Sequence, residues 1–428
     1  MNRFFYSVLL SLILPLVPLK LLWRGIKQPA YLKHWGERLG FYKLKISKPI
    51  IWLHCVSVGE TRAAEPLIKA LQLQYPLHQI LLTHGTPTGR EASEALFGDT
   101  DSNHTVERVY LPYDLPFAVN NFLAHFKPAI GLIMETELWF NLVAACKQRD
   151  IALLLLNARL SEKSANGYAK LGKLAQQGLQ SLSAVAAQTA DDAARLQKLG
   201  ANNISVAGNL KFDVKPPADA IDKGLQLKKQ LGTRPIFLAA STRDGEEALI
   251  LDALAKANIP NLLTIIVPRH PQRFDAVAAL LAQRGIDFKR KTLLNNDALQ
   301  PSIHAGSGLV VLGDSMGEMP MYYAACDIAF IGGSLLKYGG QNLIEAAHMG
   351  KPILIGEHTF NFADASNDAI SAGAAIRVKN ADDLMQQVNM LLKNKTAQAN
   401  MQQAALKFSA SYAGATARLM AIIKPHIK

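Results

Sequence analysis

The sequence predicts an α/β protein: two doubly wound parallel domains in tandem, behind an apolar N-terminal segment. Three observations carry this. Short apolar runs alternate with amphipathic stretches from about residue 49 to residue 378, the pattern of buried parallel strands and the helices that cover them. The series breaks once, at Lys215-Pro-Pro217, and then resumes. With 428 residues, 49% of them hydrophobic and 19% charged, the chain is long enough for two cores and too apolar for global disorder. The expected division is 1–23 for an anchor, 24–212 for the first domain and 213–428 for the second. Ligands of open α/β sheets bind beyond the carboxyl ends of the strands. The motif loops of both domains are therefore expected to line a cleft between them.

Residues 4–19 are almost wholly apolar, interrupted by Pro15 and Pro18; Arg24, Lys27, Lys33, Arg38, Lys43 and Lys45 follow with one acid, Glu37, among them. A secretory signal places its basic residues first and ends on small residues. This order is the reverse. The apolar run is near the minimum for a membrane span. The basic cluster behind it holds the rest of the chain on the cytoplasmic side and attracts anionic lipid. A single N-terminal anchor is expected, spanning or dipping into the bilayer; a buried hydrophobic helix is the alternative.

In the first domain the strand-like runs are 50–56, 80–83, 109–111, 129–134, 152–156, 184–188 and 204–206, with helices at 63–73 and 138–146 among those between them. Residues 57–62 read as a turn. In the second domain the runs are 236–240, 262–267, 308–312, 328–331, 352–355 and 374–378, and an amphipathic helix runs on from about Ala381.

The stretch from Phe330 to Gly356 is the most informative. It reads as strand, glycine loop, helix and strand. Gly332-Gly333-Ser334 and Gly339-Gly340 precede a helix capped by Asn342, and such a loop offers N–H groups and a positive dipole end to a phosphate. An ordinary turn between helix and strand has the same spacing. Glu345, one turn in, can reach a sugar hydroxyl. Glu60 follows a strand and a glycine, where a carboxylate can take a proton from a hydroxyl or merely complement the helix dipole. Glu135 and Glu137 end another strand, either as a pair that tunes each other's ionisation or as solvated loop acids. His54, within an apolar run, reads as a core histidine. Arg243 and Arg269 sit in loops after strands, as anion binding requires, and Gly313-Asp-Ser-Met-Gly-Glu318 ends another.

Cys55, Cys146 and Cys326 are far apart and odd in number, which fits reduced, buried thiols. Lys and Arg outnumber Asp and Glu 46 to 34, which favours anionic partners. No zinc spacing, aromatic RNA-binding signature or dense basic helix supports nucleic acid. No cluster has metal-ligand spacing, so no tightly bound metal is expected.

An ordered set of motifs gives the chain a family resemblance: Gly59-Glu60, Met134-Glu-Thr-Glu-Leu-Trp139, Asn157-Ala-Arg-Leu-Ser161, Gly208-Asn-Leu-Lys-Phe-Asp213, Pro268-Arg-His-Pro271, Gly313-Asp-Ser-Met-Gly-Glu318, Gly339-Gly-Gln-Asn342 with Glu345, and His358-Thr-Phe-Asn-Phe362. Together these resemble the 3-deoxy-D-manno-octulosonic acid (Kdo) transferases, over nearly the whole length. The resemblance implies a GT-B fold of two Rossmann-like domains, the first for a lipid A precursor (lipid IVA) and the second for CMP-Kdo. It implies an inverting glycosyltransferase of lipopolysaccharide biosynthesis, at the cytoplasmic face of the inner membrane and without a cofactor. Glu60 would be the general base, with Glu135 and Lys211 stabilising the transition state. Pro268, Arg269, Met316, Gly317, Glu318, Asn342, Leu343, Ile344 and Glu345 would hold the CMP portion. The chain departs from the family pattern at Phe140, where proline is usual, at Arg243-Asp244 in place of His-Glu, and at Gln341, where histidine is frequent. Other readings are a different nucleotide-sugar enzyme of the same fold, such as an epimerase or another lipid glycosyltransferase, and a membrane-attached nucleotide-sugar binding protein without activity.

Overall fold

The computed structural model describes residues 2–98, 106–294 and 309–427. The chain forms two compact units, Met1–Val214 with Tyr412–Lys428, and Lys215–Ser411.

The first unit is built on seven parallel strands: β1 (Ile50–His54), β2 (Gln79–His84), β3 (Val106–Tyr110), β4 (Ile130–Met134), β5 (Ala152–Ala158), β6 (Ala184–Ala187) and β7 (Ile204–Val206). Their order is β3-β2-β1-β4-β5-β6-β7. Helices cover both faces, so the central strands are apolar on both sides rather than alternating. The Val58–Gln74 helix packs on one face; Pro116–Phe126, Phe140–Gln148 and Lys173–Gln180 pack on the other. Strand order reverses between β1 and β4, so the loops that follow these two strands meet at the switch point where such sheets bind ligands. Glu60 follows β1 and Glu135 follows β4.

The second unit repeats the plan with β8 (Ile236–Thr242), β9 (Leu263–Pro268), β10 (Phe288–Arg290), β11 (Val310–Leu312), β12 (Ile328–Ile331), β13 (Ile353–Ile355) and β14 (Ala375–Arg377), in the order β10-β11-β9-β8-β12-β13-β14. Its switch point lies between β8 and β12. Edge strand β10 escaped the sequence reading: it is short, and Lys289 and Arg290 hide its single apolar residue. The strand expected at 308–312 begins at Val310, and Gly308 lies outside the described residues.

The C-terminus corrects the expected boundary. The single helix read from Ala381 is three, Ala381–Lys393, Lys395–Tyr412 and Ala415–Ile423. The last returns to the first unit, where Ala415, Leu419 and Ile423 are buried beside Leu67 and Leu71. Asp213 fixes the return by accepting the N–H groups of Gly414 (2.6 Å) and Thr416 (2.5 Å). Amphipathicity shows that a helix has a buried face; it does not show which core receives it.

The N-terminal segment forms the helices Arg3–Ile13 and Val17–Lys27, joined by a 3-10 turn over Leu14–Leu16 at Pro15. Arg3–Ile26 is long and apolar enough to cross a membrane, with a mean hydropathy of 2.0 over its most apolar window. Leu12, Leu19, Trp23 and Ile26 are exposed. One face rests on the first unit. The Tyr6 O–H donates to Asp114 Oδ2 at 2.9 Å and Ser7 to Asn141 Oδ1 at 3.0 Å, and the Tyr6 ring meets the Phe140 ring edge-on at 5.3 Å.

Phe140 in turn presses on Gly178. A Cβ added there would lie 2.8 Å from Phe140 Cδ1. Gly178→Ala is therefore expected to lower Tm. Its overpacking cost of about 1–3 kcal/mol exceeds the helix-propensity gain of about 1 kcal/mol. In a Phe140→Ala background the clash is gone and the same substitution should raise Tm. A thermal melt of the four chains checks both signs.

Candidate active site

In the first unit, Ser57 caps the helix after β1. Its Oγ accepts the Glu60 N–H at 3.4 Å, while the Glu60 carboxylate accepts the Val56 N–H (2.8 Å) and the Ser57 O–H (2.8 Å). This is a variant of the capping box, with the N3 carboxylate reaching back to the N–H before the N-cap and to the N-cap hydroxyl. It corrects the reading of 57–62 as a turn: the helix starts at Val58. Glu60 is only 8% exposed. Its pKa is pushed up to about 7, by burial first and by the charge of Glu135 next, against the hydrogen bonds from Val56 and Ser57. Near neutral pH such a carboxylate is poised to accept a proton.

Glu135 takes a left-handed backbone, φ +58°. A non-glycine residue adopts that conformation at a cost, and such strain concentrates at functional sites. The Glu135 N–H donates to Leu156 O at 2.9 Å, and Lys211 Nζ lies 3.9 Å from Glu135 Oε1. The sequence alone gave Lys211 no partner. What places it is Asn157, buried at the end of β5, whose Oδ1 accepts the Leu210 N–H at 3.0 Å; Asn209 Oδ1 then accepts the Lys211 N–H at 3.0 Å. Glu137 is pushed above the usual carboxylate range by burial and then by Glu135. Thr136 donates to the Arg159 carbonyl, and the Tyr168 O–H donates to Thr136 O at 3.0 Å, which pins this loop. His54 is a core histidine: buried, bonded through Nδ1 to Thr83, and lowered to about 3 by burial.

In the second unit the organising groups are Glu246 and Glu247, both 0% exposed. The Glu246 carboxylate accepts the N–H groups of Arg243 (2.8 Å), Gly333 (2.6 Å) and Leu335 (2.9 Å). Burial raises its pKa against these hydrogen bonds. Glu247 accepts from Thr242 (2.8 Å) and Arg273 (2.9 Å). The Gly332-Gly333-Ser334 turn is thus corrected as a phosphate cradle, because a protein carboxylate occupies the Gly333 donor. Gly333 itself needs its φ of +70°.

Leu343 and Ile344 are also corrected. Both are 0% exposed and pack in the core, so their side chains are withheld from any ligand. The helix there is short, Ile344–His348, and Asn342 stands one residue before its N-cap, accepting the Ile344 N–H at 3.1 Å and donating to Glu345 Oε1 at 3.0 Å.

Pro268 ends β9, buried. Arg269 is exposed, and its Nε–H donates to Gln341 Oε1 at 3.2 Å. Arg243 lies 4.7 Å over the Tyr338 ring and donates to His270 Nε2 at 2.8 Å. His270 is lowered by burial and then by the charges of Arg243, Arg269 and Arg273. Met316 is exposed, and Gly317 leads to Glu318. Burial works to raise Glu318, but the Lys291 ammonium, 2.6 and 2.8 Å from its two oxygens, and the Ser315 hydroxyl outweigh it; its pKa is lowered. Lys291 had no motif to announce it. Among the described residues, no group of three or more His, Cys, Asp or Glu is placed to hold a metal ion.

The family profile described as 3-Deoxy-D-manno-octulosonic-acid transferase (kdotransferase) matches residues 33–214, and the profile for glycosyl transferases group 1 matches residues 304–408. A 3-deoxy-D-manno-octulosonic acid transferase of Bordetella pertussis is 43% identical over 375 residues, 86% of each chain. One of Haemophilus influenzae is 38% identical over 440 residues, 100% of this chain and 99% of the relative. The chain belongs to the 3-deoxy-D-manno-octulosonic acid transferase family. It is a glycosyltransferase. The crystal structure of a glycosyltransferase from Rickettsia africae superposes with a TM-score of 0.59 over 89% of this chain and 98% of that one, at 15% identity. That likeness shows the GT-B fold alone.

The three departures of this transferase have local partners. Phe140 seats Tyr6 of the N-terminal helix, Arg243 holds His270, and Gln341 accepts from Arg269.

Proposed function

We propose that this transferase moves Kdo from CMP-Kdo to lipid IVA with inversion, releasing CMP, as a step of lipopolysaccharide biosynthesis on the cytoplasmic face of the inner membrane. The observation that carries the reading is the Glu60 carboxylate: buried, raised to about 7, and at the switch point of its sheet beside Glu135. A carboxylate so placed takes a proton from a hydroxyl near neutral pH. The acceptor oxygen then bonds to the ketosidic carbon as the bond from that carbon to the CMP phosphate oxygen breaks. Attack opposite the leaving group inverts the carbon.

Positive charge grows on that carbon and negative charge on the departing phosphate. Glu135, steadied by Lys211, suits the first and Arg269 the second. In this scheme the first unit takes the acceptor. In the second, Pro268, Met316, Gly317, Glu318, Asn342 and Glu345 hold the rest of CMP, with Leu343 and Ile344 seating Asn342 and Glu345 from the core. Neither metal nor cofactor enters a step. The N-terminal segment anchors the chain, and the excess of 46 Lys and Arg over 34 Asp and Glu suits a phosphorylated acceptor and anionic lipid.

The test is incubation of purified protein with CMP-Kdo and a tetra-acylated lipid A precursor, read by mass spectrometry. A gain of one or more Kdo units with equimolar CMP is expected. Release of CMP without lipid product would discard the acceptor.

A further inference from the structure

A groove runs where the Arg3–Ile13 helix lies against the helices Phe140–Gln148 and Lys173–Gln180. Its volume, about 690 Å³, falls in the range of small-molecule sites. The walls combine apolar, cationic and uncharged polar side chains, the last including Asn2, Gln177 and Ser181. Phe4, Phe140 and Leu174 are apolar; Arg3 and Lys147 are exposed cations. Among the described residues, no Asp or Glu lines it; the nearest acid in play is the buried Asp114 behind Tyr6, which feels the charge of Arg3, and Lys147 is the cation left for a ligand. None of Glu60, Glu135 and Lys211 lines the groove. Glu60 stands on the Val58–Gln74 helix, which packs on the opposite face of the sheet.

We propose that this groove binds one anionic phospholipid of the membrane. Charge complementarity selects the headgroup: two cations without a carboxylate call for a phosphate, and a zwitterionic lipid would meet them with an ammonium as well. The apolar wall selects the rest. A free phosphate would leave Phe4 and Phe140 against water, whereas an acyl chain covers them. The location supplies the molecule, since the groove opens beside the segment read as the anchor, whose Phe5, Leu9 and Leu12 are exposed. A lipid here fills the space between that helix and the first unit, next to the Tyr6–Phe140 contact.

The inference rests on the anchor reading in its dipping form, since a full span would carry Arg3 across the bilayer from Lys147, and it can fail while that reading stands. Full-length protein in neutral detergent is titrated with phosphatidylglycerol or phosphatidylcholine and read by native mass spectrometry. One phosphatidylglycerol retained per chain is expected, with phosphatidylcholine held at least about tenfold more weakly. Lys147→Glu removes the headgroup contact and Ala144→Trp fills the groove; each should abolish the retained lipid while transfer to detergent-dispersed acceptor stays within about twofold. Retention unchanged in both variants overturns the proposal. So does stoichiometric displacement by the lipid A precursor, which would make the groove part of the acceptor site. Membrane extraction of the same variants reports on the anchor independently.

Discussion

Glu60→Gln is expected to reduce kcat by about 10²–10⁴, the range for losing a general base, with CMP affinity unchanged. The proposed donor groups belong to the other unit, and the glutamine can still accept the Val56 N–H and donate to the Ser57 hydroxyl oxygen. The pH dependence follows from the sign of the shift. In the proposed mechanism the Glu60 carboxylate acts when ionised, and its pKa is about 7. Native kcat/KM should therefore rise with pH through about 7 and level off above it; the residual activity of the variant should lack that limb. Stability should move the other way. The folded-state pKa lies above the ordinary 4.5, so between the two values the folded chain binds more protons than the unfolded one. Native stability falls as pH rises through that window. At about 1.4 kcal/mol per pH unit the full cost is on the order of 3 kcal/mol above pH 7. Glu60→Gln removes it: Tm should rise at pH 8 and stay near native at pH 4. A variant that loses activity and also melts lower at pH 8 would make Glu60 a helix cap and nothing more.

That trade between function and stability bears on what the sequence could reveal. Periodicity located the central strands because they are buried on both faces and hold few polar residues to confuse the pattern. The Glu60 position was legible for a different reason, since a carboxylate after a strand and a glycine has few places to go. Lys211 was legible only as part of a motif. Its partner Glu135 is 76 residues away in sequence, and the Asn157 side chain that brings them together works through a backbone N–H that no composition records. The same holds for Lys291 with Glu318. Leu343 and Ile344 failed in the opposite direction. They lie inside a motif whose polar members face outward, and motif membership cannot separate a residue that touches ligand from one that anchors its neighbours in the core. The glycine loop was misleading for a third reason: the buried Glu246 carboxylate, 87 residues away in sequence, already takes the Gly333 N–H.

Glu246→Gln tests that last point and carries the second large effect. Three N–H donors converge on the Glu246 carboxylate. A glutamine offers one oxygen to them and turns its own N–H₂ toward the rest. Each buried donor left unsatisfied costs about 1–3 kcal/mol, so a loss of about 2–4 kcal/mol is expected, read as a lower Tm. The damage should reach the donor side. The Gly333 carbonyl accepts the Gly340 N–H at 2.7 Å, and Gln341, next in line, accepts from Arg269. Once the loop relaxes, Gln341 no longer holds Arg269 in place, and calorimetric titration should show CMP binding at least about tenfold weaker. Glu246 is fully buried with its carboxylate occupied by backbone N–H groups, so it acts through the loop. At saturating CMP-Kdo the kcat of the variant should return to within a few-fold of native, leaving the defect in KM. A kcat loss that persists at saturation would mean that the loop contributes to the transition state itself, and that its glycines do more than shape the floor beneath the donor.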